Sequence, residues 1–431
     1  MKISPARVAA FEILKRIETE RAFSAVLLPE YESGLSRKDA ALCHELVLGV
    51  LRRQMYLDRL ADEVGKARKL DLAVRIALRL GIYQLIFLDK IPSYSAISES
   101  VDLVHRAKKT SARGYVNAVL RNVQRGVPGI QFKDEIERLS VEQSHPRWLV
   151  EKWVRDIGEE RTSKIVEANN RTPETVFRVT AKGGNAGFIP NVESRPSEFV
   201  DGGYIVEKAG RELLDAAAEG KIYFQDEGSQ IVGQAVDLKR DEKFLDACAA
   251  PGSKATQIAA AAGDGPLMVA GDLHFSRVKL LRESCRRQGV SFVSVVQYDA
   301  EIELPFREGV FDSVLVDAPC TGTGTIRHNP EIRYFLDAAD PAILGAKQLR
   351  ILQNASKMVK SGGQLIYSTC SLEPEENEGV AEAFTASNGK FEKRVPRVAD
   401  RFMTADGFAR TWPGRDELDG FFIAAFGRAA D

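Results

Sequence analysis

Two cysteines sit in small-residue segments suited to chemistry. Cys320 lies in Val-Leu-Val-Asp-Ala-Pro-Cys-Thr-Gly-Thr-Gly (314–324), and Cys370 in Leu-Ile-Tyr-Ser-Thr-Cys-Ser-Leu-Glu-Pro-Glu-Glu-Asn-Glu (365–378). Each follows an apolar run that ends in a sharp turn, where an open parallel sheet presents functional side chains. Two thiols on one rim suit a reaction that needs a nucleophile and a second acid or base. A free thiol has a pKa near about 8.5, so the nucleophile needs surroundings that favour the thiolate. Residue types alone do not rank the two. A lone cysteine is more often a small buried hydrophobe, and Cys43 and Cys285 are read that way.

A third segment, Phe244-Leu-Asp-Ala-Cys-Ala-Ala-Pro-Gly-Ser-Lys254, reads as a strand entering a small-residue loop and then a helix. Small residues let a ligand approach the backbone, and the helix start offers N–H groups to an anion such as a carboxylate. The following strand ends at Asp272, placed to accept from ribose hydroxyls. The next leads to Asp299, suited to an adenine amino group. A helix N-cap accounts for either acid alone. Their succession, each after its strand, favours a nucleoside-type ligand.

The elements that must position these residues change character along the chain. Residues 5–125 show apolar residues at helical spacing, as in Val8, Phe11, Ile13, Leu14 and Ile17, or Leu72, Ile76, Leu80 and Tyr83. Ile91-Pro92-Ser93 interrupts them, with Ser93 or Ser95 as the expected cap of the next helix. Gly126-Val-Pro-Gly129 starts a linker. His145-Pro146 opens a small mixed segment with a helix, a strand at 175–180 and a turn into another at 201–206. From about 221, strands at 243–248, 267–272, 292–297, 313–316 and 364–367 alternate with helices at 254–262, 276–288 and 340–360. That alternation predicts a doubly wound parallel sheet. A strand at 420–427 is expected to join its edge.

The 431 residues suit two or three domains. No apolar run approaches the roughly 20 residues of a membrane span, and the N-terminus lacks a signal-peptide core. A cytoplasmic protein without a membrane partner is expected. The five cysteines are scattered without a Cys-x-x-Cys pair, and the five histidines never take metal-ligand spacing, so neither a disulfide scaffold nor a metal is expected. The net charge of −1 hides a basic N-terminal third. Residues 1–145 carry 24 Lys and Arg against 18 Asp and Glu, a weak pointer to a polyanion.

Nearly the whole chain resembles the RsmB (Sun/Fmu) family of 16S ribosomal RNA cytosine-carbon-5 methyltransferases. Residues 5–125, with Gly114-Tyr-Val-Asn-Ala-Val-Leu-Arg-Asn122, are similar to a NusB-like domain; Ser144-His-Pro-Arg-Trp148 and Phe224-Gln-Asp-Glu-Gly-Ser229 resemble family segments. Asp246–Lys254, Asp317-Ala-Pro-Cys320 and Ser368-Thr-Cys370 match the catalytic motifs. The resemblance implies a multidomain chain: an all-α NusB-like RNA-binding domain (1–130), a small mixed α/β subdomain (145–220) and an α/β Rossmann-like S-adenosylmethionine-dependent methyltransferase domain (221–431). It implies that Cys248, Ala249, Ala250, Pro251, Gly252, Ser253 and Lys254 hold the methionine end of S-adenosylmethionine, Asp272 the ribose and Asp299 the adenine, with Asp317 near the methyl group. Two departures are Ser253, where the family usually has a second glycine, and Tyr298, often glycine.

Carbon 5 of cytosine is a poor nucleophile until a thiolate adds at carbon 6. The resemblance ranks the thiols: Cys370 attacks, Cys320 releases the product, and Asp317 meets the cytosine edge with Lys254 as helper. The target must be unpaired or flipped out, as in loops and bulges of RNA. Thr321-Gly-Thr-Gly324 and Arg327-His-Asn-Pro330 are read as a mobile edge meeting that strand, with surface solvation the competing reading for Arg327 and Arg333. Arg7, Lys15, Arg106, Lys108, Lys109 and Arg113 are candidates for phosphate contacts. A monomer acting on 16S rRNA is expected. The alternatives are the same chemistry on another rRNA site or on tRNA, or an inactive RNA-binding factor.

Overall fold

The computed structural model describes residues 3–66, 69–127, 129–184 and 189–430. They divide into two compact units, the first formed by residues 1–171 and 326–336, the second by 172–325 and 337–431.

In the first unit the helical spacing becomes helices α1 (Pro5–Glu20), α2 (Ser24–Glu32), α3 (Arg37–Gly65), α4 (Leu72–Phe87), α5 (Ser93–Arg106), α6 (Arg113–Arg125), α7 (Glu135–Glu142), α8 (Arg147–Ile157) and α9 (Glu159–Ala168). The Ser36 side chain caps α3 by accepting from the Asp39 amide, and Asp71 caps α4 by accepting from Ala73. α6 buries Val116, Val119, Leu120 and Val123, one face of a 3.6-residue period. These join Phe11, Leu14, Leu51, Ile76 and Leu80 in one core. The expected serine cap of α5 is absent. Pro92 stands at the N-cap with no side-chain bond, and Ser95 instead donates to Glu99 at 2.8 Å. Arg7 is also no phosphate contact: it is buried, donating to Gln84 at 2.7 Å and Glu99 at 3.0 Å.

The second unit opens with an antiparallel sheet of β1 (Val176–Val179), β2 (Glu193–Pro196), β3 (Gly203–Lys208) and β4 (Ile222–Phe224), ordered β2-β3-β1-β4, with α10 (Arg211–Ala218) before β4. After α11 (Glu227–Gln234) come β5 (Lys243–Asp246), α12 (Ser253–Ala262), β6 (Leu267–Asp272), α13 (Phe275–Gln288), β7 (Ser294–Gln297) and β8 (Phe311–Asp317). The chain then supplies α14 (Ile332–Phe335) to the first unit and returns as α15 (Asp340–Met358), β9 (Val359–Thr369), α16 (Glu378–Ser387), β10 (Phe391–Arg394), β11 (Ala409–Arg410) and β12 (Phe422–Arg428). The large sheet runs β10-β12-β9-β8-β5-β6-β7, with β11 pairing β12. β5 to β9 are parallel neighbours, and β12 pairs antiparallel with both β9 and β10. The C-terminal strand is therefore interior, because β10, four residues with three exposed, takes the edge that sequence reading gave it.

Both faces of this sheet are buried, as a parallel sheet requires. Val314, Val316, Leu365, Tyr367, Phe422 and Phe426 pack on one side; Leu315, Ile366 and Ile423 pack on the other. The alternation follows the two-residue period of a strand. Strand order reverses between β5 and β8, so the ends of these two strands open a crevice.

Arg327-His-Asn-Pro330 was expected to form a mobile edge, and both readings of Arg327 and Arg333 put them at the surface. Instead Arg333 is fully buried among α7–α9, donating to the Gln143, Ser144 and Asn169 carbonyls and to Asn170 Oδ1 at 2.9 Å. Glu331 accepts from the Ser24 amide at 2.6 Å and its hydroxyl, and Tyr334 donates to the Leu51 carbonyl at 2.7 Å. Arg327 is buried too, its carbonyl accepting from Arg52 at 3.3 Å. A guanidinium removed from water needs its N–H groups satisfied, and backbone carbonyls supply most of that.

Candidate active site

The crevice holds a cavity of about 280 Å³ lined by Cys248, Asp272, Asp299, Asp317, Cys320 and Cys370, among others. Its lining thus joins residues from the ends of four parallel strands and from the turn after β9. A larger cavity, about 630 Å³, opens in the same unit between β1, α12 and Phe402, but it presents no thiol. Chemistry, not volume, selects the smaller one.

The loop after β5 stays stitched to its neighbours: the Ala247 amide donates to Leu315 at 2.9 Å and the Ala249 amide to Gly271 at 2.8 Å. Cys248 and Ala250 line the cavity; Ala249, Pro251, Gly252 and Ser253 shape the turn without lining it. Gly252 has φ 106°, a conformation that favours glycine, and a Cβ there would lie 2.8 Å from Leu281 Cδ1. Ser253 is the first residue of α12, whose N-terminus has no side-chain cap. Its first-turn amides therefore suit an anionic group. Asp272 is buried, its carboxylate 3.2 Å from Arg277 Nε, and Arg277 also donates to the Ala250 carbonyl at 2.6 Å. Tyr298 fills the space that Gly271 leaves, its hydroxyl 3.3 Å from the Ala247 carbonyl. A small-residue turn and two carboxylates along one cavity, with an uncapped helix start next to the turn, fit an amino-acid-bearing nucleoside.

At the other end the two sulfurs lie 3.3 Å apart. The hydrogen bond with Cys370, then burial, pushes the Cys320 thiol well above its usual range. Asp317, at the end of β8, accepts from Lys254 Nζ at 2.7 Å and from the Ser368 hydroxyl at 2.7 Å. Burial disfavours the Lys254 ammonium, but the charges of Asp317, Cys370 and Asp246 outweigh it, and its pKa rises. Cys248 is driven upward by burial and by the acids around it. Cys43 and Cys285 are buried, as expected of packing residues, and burial also raises both.

Sequence reading missed Arg277, Ser368, Gln348 and Glu376. Ser368 and Glu376 lie inside the segment that drew attention to Cys370; Arg277 and Gln348 sit on helices with no local mark.

Residues 233–427 match the family of 16S rRNA methyltransferases RsmB/F, residues 4–125 the NusB family, and residues 145–186 the ferredoxin-like domain of RsmF/B-like methyltransferases. The chain is 36% identical to the probable ribosomal RNA small subunit methyltransferase B of Bacillus subtilis, over 99% of each. It is similar to the crystal structure of PH0851, with a TM-score of 0.83 and 26% identity over 99% of each chain. It also shares the fold of NSun6 from Pyrococcus horikoshii, solved with SFG, with a TM-score of 0.58 and 20% identity over 66% of this chain and 99% of that one.

Proposed function

This chain belongs to the RsmB/F family of 16S rRNA methyltransferases, and on that premise we propose that it methylates carbon 5 of a cytosine in small-subunit rRNA through a covalent adduct with Cys370. It is an S-adenosylmethionine-dependent rRNA methyltransferase; carbon 5 and the adduct are the parts proposed. The observation that carries them is the pair of sulfurs 3.3 Å apart in the cavity shared with Asp272 and Asp299. A reaction at an unactivated carbon needs one thiol to add and a second group to receive a proton.

S-adenosylmethionine supplies an electrophilic methyl group on its sulfonium. The backbone of 248–254 would hold its amino-acid end, Asp272 the ribose and Asp299 the adenine. The Cys370 thiolate adds to carbon 6 of the flipped cytosine, making carbon 5 enamine-like and able to take the methyl group. Cys320 serves the removal of the carbon-5 proton. As that proton leaves, the carbon 5–carbon 6 double bond re-forms and Cys370 departs as thiolate. Asp317, oriented by Lys254 and Ser368, accepts from the exocyclic amine of the base.

Two variants test the roles. Cys370→Ala is expected to abolish transfer and to form no adduct on 16S RNA. Cys320→Ala is expected to accumulate a covalent protein–RNA adduct, seen as a shifted band in a denaturing gel. The reverse pattern would exchange the roles. Bisulfite sequencing of RNA from a deletion strain checks the target: an unchanged 16S profile would remove small-subunit rRNA from the reading.

A further inference from the structure

The turn after Cys370 carries Glu376 and Asn377, to which the reaction gives no step. Glu376 is fully buried. A carboxylate taken out of water survives only where donors replace its hydration. Oε1 accepts from the Thr321 amide at 2.8 Å and from Gln348 Nε2 at 2.9 Å. Oε2 accepts from the hydroxyls of Thr321 and Ser371. Thr321 follows Cys320 and Ser371 follows Cys370, so one carboxylate grips the residue after each sulfur.

The neighbouring contacts complete the frame. Gln348 on α15 also donates to the Pro319 carbonyl at 2.9 Å, on the other side of Cys320. Asn377 donates to the Ser371 carbonyl at 2.8 Å and accepts from the Thr369 hydroxyl at 2.5 Å, bracketing Cys370. The two turns come from β8 and β9, 50 residues apart in sequence. Glu376 bonds to both.

We propose that Glu376 is a positioning residue that fixes the separation of the two sulfurs through Thr321 and Ser371. This inference rests on the two-thiol reading above. Its charge has a second effect: after the Cys370 hydrogen bond and burial, the Glu376 anion is among the groups that raise the Cys320 pKa, which makes the Cys320 thiolate, once formed, a stronger base for the carbon-5 proton.

The test uses the full chain with S-adenosylmethionine and a 16S RNA transcript, following adduct formation in the Cys320→Ala background. Adding Glu376→Ala is expected to slow adduct formation about 100-fold, the scale of a misplaced reacting group. Cofactor affinity by calorimetry is expected to stay within about threefold, under 1 kcal/mol. Glu376→Gln keeps an oxygen for the Thr321 amide, and the hydroxyls can rotate to accept from its amide. It is expected to recover most of the rate. With both cysteines present, Glu376→Gln is also expected to move the iodoacetamide alkylation profile of Cys320 to lower pH, because the anion is gone. An unchanged adduct rate in Glu376→Ala, or an unmoved alkylation profile in Glu376→Gln, would overturn the proposal. If Cys320→Ala alone yields no adduct, the two-thiol reading fails, and the alkylation profile still decides on Glu376. If Glu376→Ala does not bind the cofactor, Glu376→Gln decides by the same profile.

Discussion

The two ends of the cleft are built by different means. The end proposed for the cofactor is backbone and small residues: a loop stitched to β6 and β8, a glycine at positive φ, and a helix start with no side-chain cap. The thiol end is side chains bonded to side chains, with Glu376 taking four donors from Thr321, Gln348 and Ser371. Two buried carboxylates make the contrast concrete. Asp246, at the end of β5, has no close hydrogen bond to either oxygen, only a weak approach from the Cys248 amide. Burial first, then the charge of Asp317, pushes it up to about 8. The lesson is one of purpose. On the proposed reading, the end that receives the cofactor is shaped by backbone, whereas the end that must hold two sulfurs turns its polar groups on itself.

Lys254 is where the comparison breaks most readily, since it starts on α12 and ends on Asp317. Removing one member of a buried pair leaves an uncompensated charge, about 3–5 kcal/mol by analogy with other proteins. Lys254→Met is expected to cut methyl transfer about 100-fold, a loss of some 2.7 kcal/mol in barrier terms, and to weaken cofactor binding as well. A loss confined to kcat would assign Lys254 to the thiol end alone. Arg277 sharpens the other side. It is half exposed and bonds Asp272 and the Ala250 carbonyl. Arg277→Ala is expected to raise the cofactor Kd about tenfold, roughly 1.4 kcal/mol, with little change in kcat at saturation. A fall in kcat with unchanged Kd would mean that the ends are not separate.

The smallest effect concerns pH. Asp246 has its folded pKa raised from 3.8 to about 8. The folded state then binds more protons than the unfolded one across that window, so the contribution of Asp246 to stability is full below about pH 4 and lost as pH rises through 8. Asp246→Asn removes this slope. The thermal midpoint of the wild type is expected to fall more steeply than that of the variant between pH 6 and pH 9, by a few degrees. Parallel curves would mean that Asp246 does not titrate there.

Much of the strand–loop–helix end of the cleft was legible because its signals are local. A strand, a run of small residues and a helix start follow one another in Phe244–Lys254, Asp272 ends its strand and Asp299 follows the next. The same holds for the helices of the first unit, whose spacing marks their buried faces. The thiols were visible as residues, but their ranking came from resemblance, and their frame was hidden. Glu376 meets a residue 55 positions away, and nothing near it in sequence says so. Arg333 finds carbonyls some 190 positions away, so neither reading of its charge, at a mobile edge or solvated, placed it in a core. Arg7 misled for the same reason, its partner Glu99 lying 92 residues on. β10 offers only Phe391 to a core, too little apolar pattern to mark the edge strand. Local chemistry writes itself into neighbouring residues; a long-range partner does not.

The passage of residues 326–336 into the first unit has a consequence for how this chain can be divided. The backbone crosses between units three times, so no single cut releases either one whole. A protein severed after Arg171 would keep Glu331, Arg333 and Tyr334 on the larger fragment, stripped of Ser24, Asn170 and Leu51. An exchange of the N-terminal unit between relatives must carry eleven residues from the middle of the catalytic half along with it. The boundary that function draws is thus a seam with a stitch through it, and the stitch begins six residues after Cys320.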